Sequence, residues 1–109
     1  MATPTLTDDG LTAALKANQL LCVFFTAPWC GPCKEVVPIW DHFAERNPDV
    51  VIATANIDDC PNAAAQWTIT EVPRLILFED GQPQWSEVGA SVTYPELQDL
   101  LDRLRNGPE

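Results

Sequence analysis

Cys30 and Cys33 stand three residues apart in the run Trp29-Cys30-Gly31-Pro32-Cys33. A CxxC pair serves either thiol–disulfide exchange or metal binding. The apolar run Leu20 to Phe25 precedes it and a helical pattern follows from Lys34, so the pair falls on a strand-to-helix turn. Residues three apart on a helix are neighbours, at a Cα separation that suits a disulfide. The same two sulfurs can then exist as a dithiol or as a bond with little backbone movement. The unpaired N–H groups and positive dipole end of the helix favour a thiolate at Cys30. Zinc needs four ligands, commonly from two such pairs, and the chain has one CxxC. Its single histidine, His42, falls mid-helix, where a solvated side chain is expected. Cys22 lies inside the apolar strand and reads as an inert core residue. Cys60, beside Asp59 and Pro61, reads as an incidental surface thiol, with oxidation or an intermolecular bridge as alternatives. No metal site is expected.

The elements that must position this pair are legible from periodicity. Thr7-Asp8-Asp9 opens a short helix with Leu11, Ala14 and Leu15 as its apolar stripe, closed by Lys16 and Asn18. Leu20 to Thr26 is a continuous apolar strand, as in the middle of a sheet covered on both faces. Lys34 to Arg46 is a helix with Val36, Trp40 and Phe43 on one face and a kink expected at Pro38. Val50 to Ile57 is a second buried strand. Strand, helix and strand make a right-handed crossover, so the two strands should be parallel. Pro61 to Trp67 can form a further helix, with Asp58 or Asp59 near its N-terminus. Arg74 to Glu79 and Trp85 to Val88 flank Asp80-Gly81, a hairpin signal. Thr93-Tyr94-Pro95-Glu96 resembles a capping box, and Leu97, Leu100, Leu101 and Leu104 repeat at helical spacing behind it.

The 109 residues suit one domain, 1–109, with a single core, and the hydrophobic fraction of 46% suits a compact protein. Six basic against sixteen acidic residues give a net charge of −10. That charge disfavours nucleic acid and anionic membrane as partners and favours a soluble monomer. No apolar run approaches the ~20 residues that a membrane helix needs. Met1-Ala2-Thr3-Pro4-Thr5 shows neither a basic nor an apolar leader region, so no signal peptide and a reducing, cytoplasmic location are expected. The aromatics Trp40, Trp67 and Trp85 have no ligand-cage spacing and read as core or half-buried.

On these residues the chain resembles the thioredoxin family over almost its whole length. Trp29 to Cys33 matches that family's active-site run, followed by Lys34 and the kink proline Pro38. Asn56-Ile57-Asp58 matches its second-strand ending. Val72-Pro73 matches the pair whose proline is cis and lies against the sulfurs. Asp80-Gly81 and Val88-Gly89-Ala90 match its hairpin and substrate-facing loop, and Leu6-Thr7-Asp8-Asp9 the start of its first helix. The resemblance implies an α/β thioredoxin fold, a central mixed four- to five-stranded sheet flanked by helices on both faces.

It also implies the chemistry: dithiol–disulfide exchange as a protein-disulfide reductase, without a cofactor. In it Cys30 is the exposed nucleophile, with the lowered pKa known for that family, and Cys33 the more buried resolving thiol. Trp29, Gly31, Pro32, Lys34 and Pro73 support the site. Trp29, Val72, Pro73, Arg74, Gly89 and Ala90 face the substrate. The implied partners are a thioredoxin reductase-type electron donor and disulfide-containing target proteins. The alternative is a thioredoxin-fold binding module with dispensable cysteines.

Several positions depart from the family pattern. Phe24 stands where the family buries an Asp, and Thr54 where its lysine partner falls. The two changes go together, because a lone buried charge is costly. Thr26 replaces a common aromatic, Glu71 a common glycine, and Arg74 the usual threonine after the proline. A guanidinium at Arg74 should stabilise a nearby thiolate at Cys30 unless Glu71 engages it.

Overall fold

The computed structural model describes residues 3–107. Five strands and four helices follow in the order β1 (Thr5–Leu6), α1 (Asp8–Ala17), β2 (Leu20–Thr26), α2 (Cys33–Arg46), β3 (Val51–Asn56), α3 (Pro61–Gln66), β4 (Arg74–Glu79), β5 (Gln82–Val88) and α4 (Tyr94–Asn106). They form one mixed sheet in the order β1-β3-β2-β4-β5. Strands β2 and β3 are parallel, as the crossover through α2 requires, while β4 and β5 run antiparallel.

β2 explains itself from its composition. Side chains alternate across a sheet, so Cys22 and Phe24 enter one apolar layer while Leu21, Val23 and Phe25 enter the other. With both sides covered, no polar residue is tolerated in the run. Helices α2 and α4 cover the first face through Val36, Trp40, Phe43, Leu97 and Leu101. Helices α1 and α3 cover the second through Leu11 and Ala63. Burying each Leu, Val or Phe of these layers stabilises the fold by roughly 1.5–3 kcal/mol before the entropy of ordering is charged against it. Trp40 also fixes α2 over the sheet, its Nε1 donating to the Ala53 carbonyl at 3.0 Å. At the far end of α2, Asn47 donates to the Phe43 carbonyl at 2.8 Å and to Gln98 of α4 at 2.8 Å.

The expected elements are present with shifted ends. α2 begins at Cys33 and runs through Pro38, which is exposed. β3 stops at Asn56, where the side chain accepts the Asp58 N–H at 3.0 Å and starts a short 3-10 turn over Ile57–Asp59. The N-terminus of α3 is held by neither Asp58 nor Asp59. Asp8 does this from α1, its two carboxylate oxygens accepting the Asn62 and Ala63 N–H groups at 3.0 Å each. Thr93 caps α4, its Oγ1 accepting the Glu96 N–H at 3.4 Å.

Two features were not expected. β1 is a two-residue strand that pairs with β3 through Thr5↔Thr54 and Leu6↔Ala55. β5 begins at Gln82 and carries Pro83, which an edge strand tolerates because no ladder N–H is needed there. Its register against β4 shifts between Leu77 and Phe78. The Asp80-Gly81 turn has positive φ at both residues, 52° and 80°, which suits the tight hairpin.

Candidate active site

The C-terminal end of β2, the N-terminal end of α2 and the start of β4 meet at the cysteine pair. After β2 the chain turns, the Cys30 N–H donating to the Ala27 carbonyl at 3.1 Å. The Lys34 and Glu35 N–H groups donate to the carbonyls of Gly31 and Pro32 at 3.2 and 3.1 Å and open the helix. Cys30 therefore precedes the first helical turn and Cys33 lies in it. Their Cα atoms are 5.5 Å apart and the sulfurs are joined in a disulfide. Of the two, Cys33 is the deeper at 3% exposure, but Cys30 is not the exposed residue expected, at 7%. The exposed member of the run is Trp29, at 65%, so its indole is not core packing. Gly31, Pro32 and Lys34 are exposed beside it. A methyl group at Gly31 would meet nothing within 4 Å, so no packing inside the chain demands glycine there.

The other residues singled out from sequence converge on this end of the sheet. The Val72–Pro73 peptide is cis, and Pro73 is buried. The Gly89 N–H donates to the Pro73 carbonyl at 2.9 Å, with Gly89 at φ 106°, a region that favours glycine. Val72 and Ala90 pack against the apolar layer that contains Cys30 and Cys33.

Arg74 takes another direction. Its Nε donates to Ser86 Oγ at 2.6 Å. Along β4 it shares a face with Ile76 and Phe78, whereas Leu75 faces the layer of the two cysteines. Among the described residues it forms no ion pair with Glu71.

Beneath the disulfide the environment is apolar. Phe24 is fully buried and meets Trp40 edge-on at 6.1 Å between ring centroids. Its register partner on β3 is Thr54. The Thr54 hydroxyl is paired with that of Thr3 at 2.7 Å, so the floor of the site holds a closed hydroxyl pair instead of an ion pair. Among the described residues no buried side-chain polar atom lacks a partner.

The remaining cysteines do not join the pair. Burial pushes the Cys22 thiol up to about 12, with the Arg105 charge offsetting part of the rise. Cys60 is not a surface thiol. It is fully buried, and its Sγ donates to the Leu6 carbonyl at 3.4 Å. Burial pushes its thiol up to about 11, with Asp8 and then Asp59 adding to the rise. His42 is exposed, its ring edge-on to Tyr94 at 4.5 Å. Among the described residues no cluster of three or more His, Cys, Asp or Glu could hold a metal ion, and no helix is long and apolar enough to cross a membrane.

Sequence reasoning missed Thr3 and Ser86. Thr3 is brought to Thr54 from 51 positions away, a pairing with no local signal. Ser86 was discoverable only from the β4–β5 register, which places it opposite Ile76 and on the Arg74 face.

Comparison with known proteins agrees with this arrangement. A family model described as Thioredoxin matches residues 2–103. Thioredoxin of Mycobacterium tuberculosis is 39% identical over 107 residues, covering 96% of this chain and 92% of that protein. A bifunctional thioredoxin reductase/thioredoxin of Mycobacterium leprae is 36% identical over 103 residues, covering 93% of this chain but 22% of that longer protein. Among solved structures, a chain from work on thiol resolving in yeast mitochondrial 1-Cys peroxiredoxin via glutathione/thioredoxin systems superposes with a TM-score of 0.79. It is 27% identical, with 93% of this chain and 94% of that one covered.

Proposed function

The chain belongs to the thioredoxin family of thiol–disulfide oxidoreductases, and from that premise we propose a protein-disulfide reductase in which Cys30 attacks and Cys33 resolves. The observation that carries the assignment is the Cys30–Cys33 disulfide at the start of α2, beside exposed Trp29 and the Val72–Pro73 segment. In the dithiol form, the Cys30 thiolate attacks one sulfur of a target disulfide. A Cys30–target bond forms and the second target sulfur leaves as thiolate. Cys33, losing its proton, then attacks Cys30 Sγ. The target leaves with its second thiol reduced, and the Cys30–Cys33 bond is formed. Two electrons have passed to the target.

The helix N-terminus favours the Cys30 thiolate, and the deeper Cys33 waits behind it. Trp29, Val72, Pro73, Gly89 and Ala90 are the surface on which an extended target lies, with Arg74 at its border. Gly31 leaves room for that backbone, Pro32 stiffens the turn, and Lys34 adds a cation to the first helical turn. A thioredoxin reductase-type donor returns the electrons, a pairing that one relative carries within a single chain. Disulfide-containing proteins are the targets, the working form is a monomer, and the reducing cytoplasm is its place of action.

The test uses a peptide disulfide and mass spectrometry. Cys33→Ser accumulates a mixed disulfide at Cys30, and Cys30→Ser forms none. Retention of wild-type reductase activity by Cys30→Ser, or no mixed disulfide with Cys33→Ser, overturns the assignment.

A further inference from the structure

Arg74 opens β4 directly after the Val72–Pro73 pair, and its side chain is half-buried. In the β4–β5 ladder it lies opposite Val88, while Ser86 lies opposite Ile76, two residues further along β4. Side chains two apart share a face, so Arg74, Ser86 and Val88 form one patch. β5 is the outer strand of the sheet, so the patch lies at its edge. Val88, 40% exposed, and Trp29 are the exposed large hydrophobics of the described residues. The patch borders the Val72–Pro73 segment beside the reacting site. Val72 packs against both apolar layers, one of which contains Cys30 and Cys33, and Gly89, next to Val88, is bonded to Pro73.

Arg74 makes no ion pair among the described residues. Arg103 sits on Asp99 at 2.9 Å and Arg105 on Asp49 at 2.8 Å. Arg74 has no carboxylate partner among the described residues and is held instead by a neutral hydroxyl. The Nε bond to Ser86 uses one of five guanidinium donors and fixes the plane of the group. The terminal nitrogens remain as a planar fork, the geometry that takes a carboxylate in two parallel bonds. On a chain of net charge −10, an acidic ligand is repelled by the protein as a whole, so a local cation is what draws it in.

We infer that Arg74, positioned by Ser86, reads a carboxylate on the target, so that the protein prefers disulfides in extended segments carrying Asp or Glu on the side that crosses Pro73 toward β5. The inference rests on the reductase reading of Cys30 and adds the class of target. Val88 supplies apolar contact beside the fork, and the strand-like target brings successive side chains past it at ~3.3 Å per residue.

The experiment compares extended peptides that each carry one cysteine in a mixed disulfide with a chromogenic aryl thiol. Glu, Gln or Lys is placed at the second or third residue on either side of that cysteine. On one side only, the Glu peptide is reduced about two- to fivefold faster than the Gln peptide, the size of an exposed ion pair, and the Lys peptide is slower. Raising salt from about 0.05 to about 0.5 M shrinks the ratio, because screening shortens the reach of the charge. Arg74→Thr brings the Glu-to-Gln ratio to unity, a ratio taken within each protein so that any change in overall rate cancels. Arg74→Lys keeps part of the preference, and Ser86→Ala weakens it by freeing the fork.

Equal rates for Glu and Gln in the wild type, or an unchanged ratio in Arg74→Thr, overturn the inference. If no peptide is reduced, the reductase reading fails. The Arg74 inference is then decided separately by amide-shift titration with cysteine-free versions of the peptides. Tighter binding of the Glu version, with its largest shifts at Arg74, Ser86 and Val88, upholds it, and identical titrations reject it.

Discussion

Replacing Phe24 with aspartate puts a carboxyl into a layer that has no charge to meet it. Phe24 is fully buried, stacks edge-on against Trp40 and packs in the layer of Cys33. Truncating such an aromatic costs ~3–5 kcal/mol, including the cavity and the lost ring pair. The new carboxyl finds Thr54 in register, but that hydroxyl is already paired with Thr3. A buried polar group left short of partners adds ~1–3 kcal/mol. Together these reach ~4–8 kcal/mol, against a total stability of ~5–15 kcal/mol for an ordinary domain. With a urea slope of ~1–3 kcal/mol/M, the denaturation midpoint should fall by about 1.3 M or more, or the variant should be unfolded without denaturant. Adding Thr54→Lys supplies the missing cation from the adjacent register position. The double variant should recover more than 1 kcal/mol relative to additivity, as expected for contacting residues in a mutant cycle. Phe24→Leu, which keeps the layer apolar, should cost clearly less than Phe24→Asp. An unchanged midpoint in Phe24→Asp, or a double variant no better than the two changes added, would refute the apolar floor described here.

Asp8→Ala removes both bonds that hold the α3 N-terminus. It should cost ~1–2 kcal/mol, as a lost cap does, with faster amide exchange at Asn62 and Ala63 as the local signature. The two raised thiols make stability fall in alkali. Above pH ~8.5 an unfolded cysteine loses its proton, while Cys22 and Cys60 keep theirs until about 12 and about 11. The stabilisation they retain is thus full below that pH and declines as pH rises through the folded values. Urea midpoints measured from pH 7 to 10.5 should fall for the wild type, and less steeply for Cys22→Ala when each protein is referred to its own pH 7 value. Gly31→Ala should leave the denaturation midpoint within ~0.5 kcal/mol of wild type, since a methyl there meets nothing. It should slow peptide-disulfide reduction if, as proposed above, the target backbone approaches at Gly31.

What was legible in the sequence follows one physical divide. β2 and α2 could be read because burial writes itself locally. A strand covered on both faces is apolar throughout, and a helix against a sheet repeats Val36, Trp40 and Phe43 at its own period. The cysteine pair could be read because its spacing is short and its flanks are ordered elements. Features closed by residues far apart in the chain could not be read. Asp8 caps α3 from 54 positions away, and Thr3 closes on Thr54 across 51. Cys60 looked like a surface thiol between Asp59 and Pro61, yet the turn folds it under Leu6, 54 positions earlier. The first half of β5, Gln82-Pro83-Gln84, is polar and exposed, so only pairing with β4 makes it a strand. Arg74 follows Pro73 in the sequence, but the direction of its side chain depends on register, which Ser86 reveals.

The central claim, that Cys30 carries the chemistry and Cys33 completes it, is tested most directly by reduction of insulin. Dithiothreitol serves as electron donor, and turbidity follows the precipitating B chain. The wild-type protein should shorten the lag and steepen the rise over dithiothreitol alone, and Cys30→Ser should give the dithiothreitol curve. A Cys30→Ser curve that matches the wild type, or a wild-type curve that matches dithiothreitol alone, would contradict the account.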